Sequence, residues 1–422
     1  MSVPNQNLDF QLHMSWSFCV HQVQLKGEVV VSFVDIGGID DHHCFNFLFI
    51  TTIVYTDMEN IPWLFLFFFI GLQRLNRLVR TAANVVQIRR THIVEDFLNI
   101  YTDSAILKHH LYVQITGEVG SDWGGVSRDA FTTFWQMAST TYFKGNAIFV
   151  PHLSLVNMED ENTFIKIGRI LSHSTAILRF MPIQLSKSTM IVLIYNSTEV
   201  EDNTLIEDFL NYVEHDERML LKQAINNFAT LSETQTETLQ NLFFRFDMSC
   251  LVKATTFRSQ LVKIARNELC LKPRPLCEKI RQGIPDDHFE AFWSHLTVDH
   301  ITRLHFRLKP TVKKVLECIK PEEPFRDLTR CRRNVYQYFQ KFIGHLDENQ
   351  LQLLLQLITG QTCVPTKTIQ VVFSNLSGFG RRPVFHTCGY LVEIPDTYRN
   401  YKEFESEMKN IMSSDVLHFD LS

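Results

Sequence analysis

The ten residues PEEPFRDLTR at 321–330 hold two prolines and five charged side chains. Two prolines in so polar a stretch mark a break in regular structure. The segment reads as the hinge, at 321–333, between two parts of unequal size. The part beyond it is a short, dense succession of elements. Val335, Phe339, Phe342 and Ile343 fall on one helical face. Asp347 with Gln350 three positions later forms a capping-box pattern ahead of Leu351, Leu354, Leu355 and Ile358. Gly360 is placed to end that helix. Ile369, Val371 and Phe373 alternate as in a strand, and so do Tyr390, Val392 and Ile394 before Pro395. Asn400 with Glu403 caps a last helix lined by Phe404, Met408, Ile411 and Met412. Residues 329–422 are therefore expected to form a small α+β domain.

Upstream, the pattern from about residue 80 to 328 is richer in helix. Leu111, Val113 and Ile115 alternate with polar neighbours and predict a half-buried strand. The glycine-rich stretch GEVGSDWGG at 117–125 follows, then Phe131, Phe134, Trp135 and Ala138 at amphipathic-helix spacing. Residues 205–320 read as mostly helical, with Pro273 and Pro275 as breaks. The glycine-rich stretch is not a phosphate loop, since no GKS or GKT follows. Gly124 and Gly125 fit a positive-φ turn into the helix, with Glu118, Asp122 and Arg128 as paired charges holding it. The fold expected is α+β and bilobal: a helix-rich large lobe at 80–328 joined by the hinge to a small lobe at 329–422.

Residues 1–79 differ in character and form an extension of unknown role. Two apolar runs, 44–55 and 61–72, lie in it, each shorter than the ~20 residues that span a bilayer. Joined into one span they would bury Asp57 and Glu59, at about 2.5–3.5 kcal/mol for a central charge. A membrane anchor is therefore not the expected role of 44–72. The string DHHC at 41–44 is shared with membrane S-acyltransferases. Their zinc-binding cysteines are missing from its surroundings, since only Cys19 lies upstream and none follows nearby.

A formal net charge of -5 argues against a nucleic-acid partner, which usually demands a dense basic face. The nine cysteines stand apart with no CxxC pair, so neither a metal site nor a disulfide framework is expected. The start, MSVPNQ, lacks the basic-then-apolar pattern of a secretory signal. A cytoplasmic or nuclear location with reduced thiols follows as the expectation.

One thiol stands out by its setting. Cys388 lies in RPVFHTCGYLVEIP at 382–395, in a loop just ahead of a strand. A thiolate is the nucleophile, and a thiol of ordinary pKa ~8.5 is only a few per cent ionised at neutral pH. On extended backbone His386 would share a face with Cys388 and could polarise the thiol; packing or loop hydrogen bonding is the alternative role for that imidazole.

These stretches resemble HECT-type ubiquitin ligases. The HTC before a strand ending in Ile-Pro is similar to their active-site loop. FIGHLDENQLQLLLQLITGQTCVP at 342–365 is similar to their Leu-rich helix and Thr-Gly signature. GEVGSDWGGVSRD at 117–129 resembles a signature near the start of their large lobe, and Phe419 matches a phenylalanine many of them carry near the end. The resemblance covers roughly residues 80–422. It implies that Cys388 accepts ubiquitin as a thioester from a ubiquitin-conjugating enzyme and passes it to a lysine of a protein substrate. It also implies that Phe419 docks near the cysteine during transfer, packing against the small lobe's core beside Leu417 and Leu421 being the alternative, with no bound cofactor and no metal. Three departures stand beside it: Gly389-Tyr390 where many members have Phe-Asn, a divergent 245–320, and a tail without Gly-Phe-Gly. They leave open a HECT-like ubiquitin-binding protein with weak catalysis, and the acyltransferase reading of DHHC is the third class.

Overall fold

The computed structural model describes residues 20–25, 28–33, 62–118, 124–154, 162–378 and 381–413. The chain divides into two compact units, Met1–Phe67 and Phe68–Ser422. The described strands of the first unit are an antiparallel hairpin, β1 (Val20–Leu25) and β2 (Glu28–Phe33), with Val20 opposite Phe33. The run 44–55 and the DHHC string lie outside the described residues. Most of the run 61–72 forms helix α1 (Pro62–Arg77), and no helix among the described residues is long and apolar enough to cross a membrane.

In the second unit, β3 (Arg80–Ile88) and β4 (His109–Ile115) pair in parallel, and α2 (Ile93–Ile100) lies between them in sequence. The alternation read at 111–115 holds: Val113 and Ile115 are buried. Helix α3 (Gly125–Tyr142) follows, entered through Gly124 at φ +92°, a left-handed conformation that favours glycine. Its predicted face is entirely buried, with Phe131, Phe134 and Ala138 at 0% exposure. Phe97 of α2 meets Phe131 edge-on at 4.8 Å and Phe134 at 5.1 Å. Each such ring contributes roughly 1.5–3 kcal/mol by burial.

A short hairpin, β5 (Phe143–Lys144) and β6 (Val150–Pro151), precedes a long helical stretch. It runs through α4 (Asn162–Leu178), α5 (Lys187–Tyr195), α6 (Asp202–Tyr212), α7 (His215–Asn227) and α8 (Glu233–Arg245). It continues with α9 (Phe257–Arg266), α10 (Arg274–Gly283), α11 (Asp286–Ala291), α12 (Val298–Leu308) and α13 (Val312–Cys318). Pro273 and Pro275 start α10 rather than merely breaking the chain, because a first-turn proline gives up no helical donor. One apolar core runs from Leu72 to Ile301 through these elements as far as α12.

A second core gathers Val315 and Ile319 with residues 335–408. Here β7 (Ile319–Pro321), α14 (Arg330–Gly344), α15 (Glu348–Thr359), β8 (Ile369–Ser374), β9 (Val384–His386), β10 (Leu391–Pro395) and α16 (Tyr401–Ser413) follow in order. The sheet order is β7-β8-β10-β9, parallel except for the β9–β10 pair. The mixture of helices and small sheets is α+β.

Both halves of the Asp347–Gln350 box form, with Gln350 N donating to Asp347 Oδ1 at 2.9 Å and Asp347 N to Gln350 Oε1 at 3.0 Å. Gly360 ends α15 at φ +76°. At α16, Glu403 N donates to Asn400 Oδ1, but the Glu403 carboxylate reaches Arg399 N rather than Asn400 N. The polar segment after β7 is tied at both ends: Pro321 pairs with Val371, and Thr329 caps α14 by accepting from Arg332 N.

Candidate active site

Cys388 sits in the turn between β9 and β10. The antiparallel pair closes with His386 opposite Leu391, and Gly389 N donates to His386 O at 3.1 Å. Tyr390 then takes φ +55°, so β10 starts one residue later than the alternation predicts, at Leu391. Strand geometry stops at His386, so the extended backbone that would give His386 and Cys388 a common face is not present. The imidazole Nε2 lies 3.7 Å from Glu393 Oε2 across the β9–β10 pair. Glu393 is a neighbour that sequence spacing alone did not single out.

Burial separates the thiols. Burial pushes Cys363 and Cys270 up to about 12, and pushes Cys277 and Cys318 upward too. A thiol raised this way carries almost no thiolate at neutral pH. Cys388 is half-buried, while Cys250 and Cys331 are exposed.

The turn does not face open solvent on all sides. It rests on the amino end of α3. A Cβ built on Gly125 would fall 2.8 Å from Cys388 Sγ and 2.9 Å from Cys388 N, and would strike Thr387 Oγ1. Only a glycine lets the backbone come this close. Arg128, 8% exposed, donates from Nη2 to Thr387 O at 2.6 Å and from Nε to Thr359 O at 2.8 Å. Its guanidinium also stands 4.7 Å over the Tyr390 ring. Thus Arg128 holds the Cys388 turn from both flanks, rather than pairing with Glu118 to hold the glycine-rich turn. Asp122 lies outside the described residues.

The charge partner of Glu118 is Arg90, which the sequence reading missed. Arg90 Nε meets Glu118 Oε1 at 2.5 Å and Arg90 Nη1 meets Asp129 Oδ2 at 2.9 Å. Burial pushes the Asp129 carboxyl above its ordinary range, and Arg90 pulls it part of the way back. Arg90, Glu118, Gly125, Asp129 and Thr387 line a small cleft beside the cysteine turn. No local pattern pointed to Arg90, because its partners lie 28 and 39 residues away. Phe419, the third sequence-predicted site residue, lies outside the described residues.

The site is thus a half-buried thiol in the β9–β10 turn, held by an arginine from the first core. Residues 312–422 match the family model of the HECT domain (ubiquitin-transferase), which begins at α13 and takes in the whole second core. Over those residues the chain is similar to the HECT family, which supports the resemblance to HECT-type ubiquitin ligases there. No curated protein matches the chain.

Proposed function

We propose that the chain is a HECT-type ubiquitin transferase with Cys388 as the residue that carries ubiquitin. The carrying observation is the place of Cys388 within the matched segment: half-buried in the β9–β10 turn, where Cys363 and Cys318 have thiols raised by burial. In the first step the Cys388 thiolate attacks the thioester carbonyl of ubiquitin on a conjugating enzyme. A new C–S bond forms, the old one breaks, and the enzyme's cysteine leaves as thiolate. In the second step a neutral lysine amine attacks the Cys388 thioester. The isopeptide C–N bond forms, the Cys388 thiolate leaves, and the amine proton passes to water. One thioester replaces another at little cost, so positioning governs the rate.

On this reading the two apolar cores are the two lobes, and the smaller swings about the connection between Ile301 and Val315 rather than about 321–333, whose neighbour β7 already pairs within the second core. Phe419 acts at the lysine step, and the reaction runs in the cytoplasm or nucleus with ubiquitin, a conjugating enzyme and a protein substrate as partners. Incubation with charged conjugating enzymes should give a thiol-sensitive ubiquitin adduct on a non-reducing gel. An adduct that survives Cys388→Ala would refute the assignment. The second reading, a HECT-like ubiquitin-binding protein, is favoured by Gly389-Tyr390. It predicts ubiquitin binding without any adduct.

A further inference from the structure

One stripe of α3 meets the second core. Gly125, Arg128, Asp129, Thr132 and Gln136 recur at i, i+3, i+4, i+7 and i+11, one face of the helix. Every one of them engages 356–360 or the cysteine turn. Besides the two Arg128 bonds, Thr132 Oγ1 donates to Gly360 O at 2.8 Å, Gln136 Nε2 to Gln356 Oε1 at 2.9 Å, and Gln356 Nε2 to Asp129 Oδ1 at 3.3 Å. Glycine stands on each side at the closest approach: a Cβ on Gly360 would fall 2.9 Å from Gly125 O. The seam is therefore joined by hydrogen bonds and glycine contacts. Polar interfaces of this kind within a chain separate more readily than a shared apolar core.

Three of these bonds end on backbone carbonyls of the second core, at Thr359, Gly360 and Thr387. They recognise the shape of the turn rather than particular side chains. One flank of Cys388 Sγ is closed by Gly125. An acceptor lysine is a slim chain that can reach a half-buried sulfur. A conjugating enzyme is a folded body whose own cysteine must come to bonding distance, and the α3 flank crowds its approach.

We propose that Arg128 is a positioning residue for the lysine step: it seats the Cys388 turn on the amino end of α3, and loading requires that seat to open. The proposal rests on the ubiquitin-transfer reading and adds to it which residue holds the delivering state. Arg128 acts through the Thr387 carbonyl, one residue from the thioester. Holding a reacting group in place is the kind of contribution that a small displacement removes.

The test uses the full chain with Arg128→Met, Arg128→Lys and Gly125→Ala. The last is an independent way to lift the turn, since alanine suits a helix start and its methyl would displace Cys388. Melting profiles confirm that each variant folds. Alkylation by iodoacetamide, followed by mass spectrometry, reads Cys388 against exposed Cys331 as internal reference. Single-turnover assays read loading from a charged conjugating enzyme and then discharge to a lysine-containing peptide. Arg128→Met and Gly125→Ala should raise Cys388 alkylation several-fold, leave loading at or above the parent rate, and slow discharge roughly tenfold or more. Arg128→Lys should fall between, because an ammonium cannot span both carbonyls as the planar fork does. Unchanged alkylation in both variants would show that the seat does not exist in solution. Unchanged or faster discharge after normal loading would overturn the delivery role. A parent chain that never loads would bring down the ubiquitin-transfer reading and this role with it, while the alkylation ratio still decides whether the seat forms.

Discussion

Replacing Arg90 with methionine should expose how the cleft beside Cys388 is held together. Arg90 is 28% exposed and Asp129 2%, with 2.9 Å between Nη1 and Oδ2. At an effective dielectric of ~20 the gross attraction at that distance is about 6 kcal/mol, much of it offset by desolvation. Removing one partner of a fully buried pair costs about 3–5 kcal/mol. The partial exposure of Arg90 lowers that figure, so about 2–3 kcal/mol is expected at pH 7. The loss should depend on pH with a definite sign. Burial already raises the Asp129 carboxyl above its ordinary 3.8, and without Arg90 it rises further. A carboxyl raised by folding stabilises the fold fully only below its unfolded value, and that stabilisation is lost as pH rises through the folded value. Arg90→Met should therefore lie closest to the parent near pH 4 and furthest from it at pH 7 and above. Adding Asp129→Asn should remove the pH dependence and return most of the stability. Urea denaturation of the parent, both singles and the double across that range is the assay. A penalty equal at every pH, or a double variant no better than Arg90→Met, would refute the argument.

His173 is buried, accepts or shares a hydrogen bond with Tyr101 Oη at 2.7 Å, and donates toward His109 O at 2.9 Å; burial lowers it from 6.5 to about 3. Its neutral form stabilises the fold above pH 6.5, and that contribution fades as pH falls toward 3, amounting to about 2 kcal/mol lost by pH 5. His173→Gln should flatten the acid limb of the stability curve by about that amount, and an unaltered limb would count against it. Asp347→Ala removes the capping box of α15 and should cost about 1 kcal/mol in denaturant unfolding; no measurable change would mean the cap is redundant. Phe419→Ala should leave Cys388 charging intact and lower lysine transfer in a single-turnover assay. A large drop in melting temperature with unchanged transfer would make Phe419 a packing residue instead.

Much of the second core was legible because its signals are local. A capping box, a C-terminal glycine and a period-2 or period-3.6 apolar pattern each act within a few residues. Asp347, Gly360, Val392, Ile394 and Phe404 all occupy the places those patterns predict. The α3 face was legible for the same reason. The site was read only in part. Cys388 was found by its loop and family signature, but the start of β10 was placed one residue early because nothing in the pattern marks Tyr390 for a left-handed backbone. Arg128 was read as a turn-holding charge, whereas its hydrogen-bond partners lie 231 and 259 residues away. Apolar periodicity tells which face of a helix seeks a core. It says nothing of polar residues such as Asp129 and Thr132, which are also buried, on the stripe that meets the second core.

The most direct test is single-turnover charging of the full chain by ubiquitin-loaded conjugating enzymes, read on a non-reducing gel and again after thiol treatment. A thiol-sensitive ubiquitin adduct is predicted in the parent, in Cys331→Ala and in Cys363→Ala, and none in Cys388→Ala. An adduct retained in Cys388→Ala, or ubiquitin bound by the parent with no adduct under any conjugating enzyme, would contradict the assignment of Cys388 as the carrier.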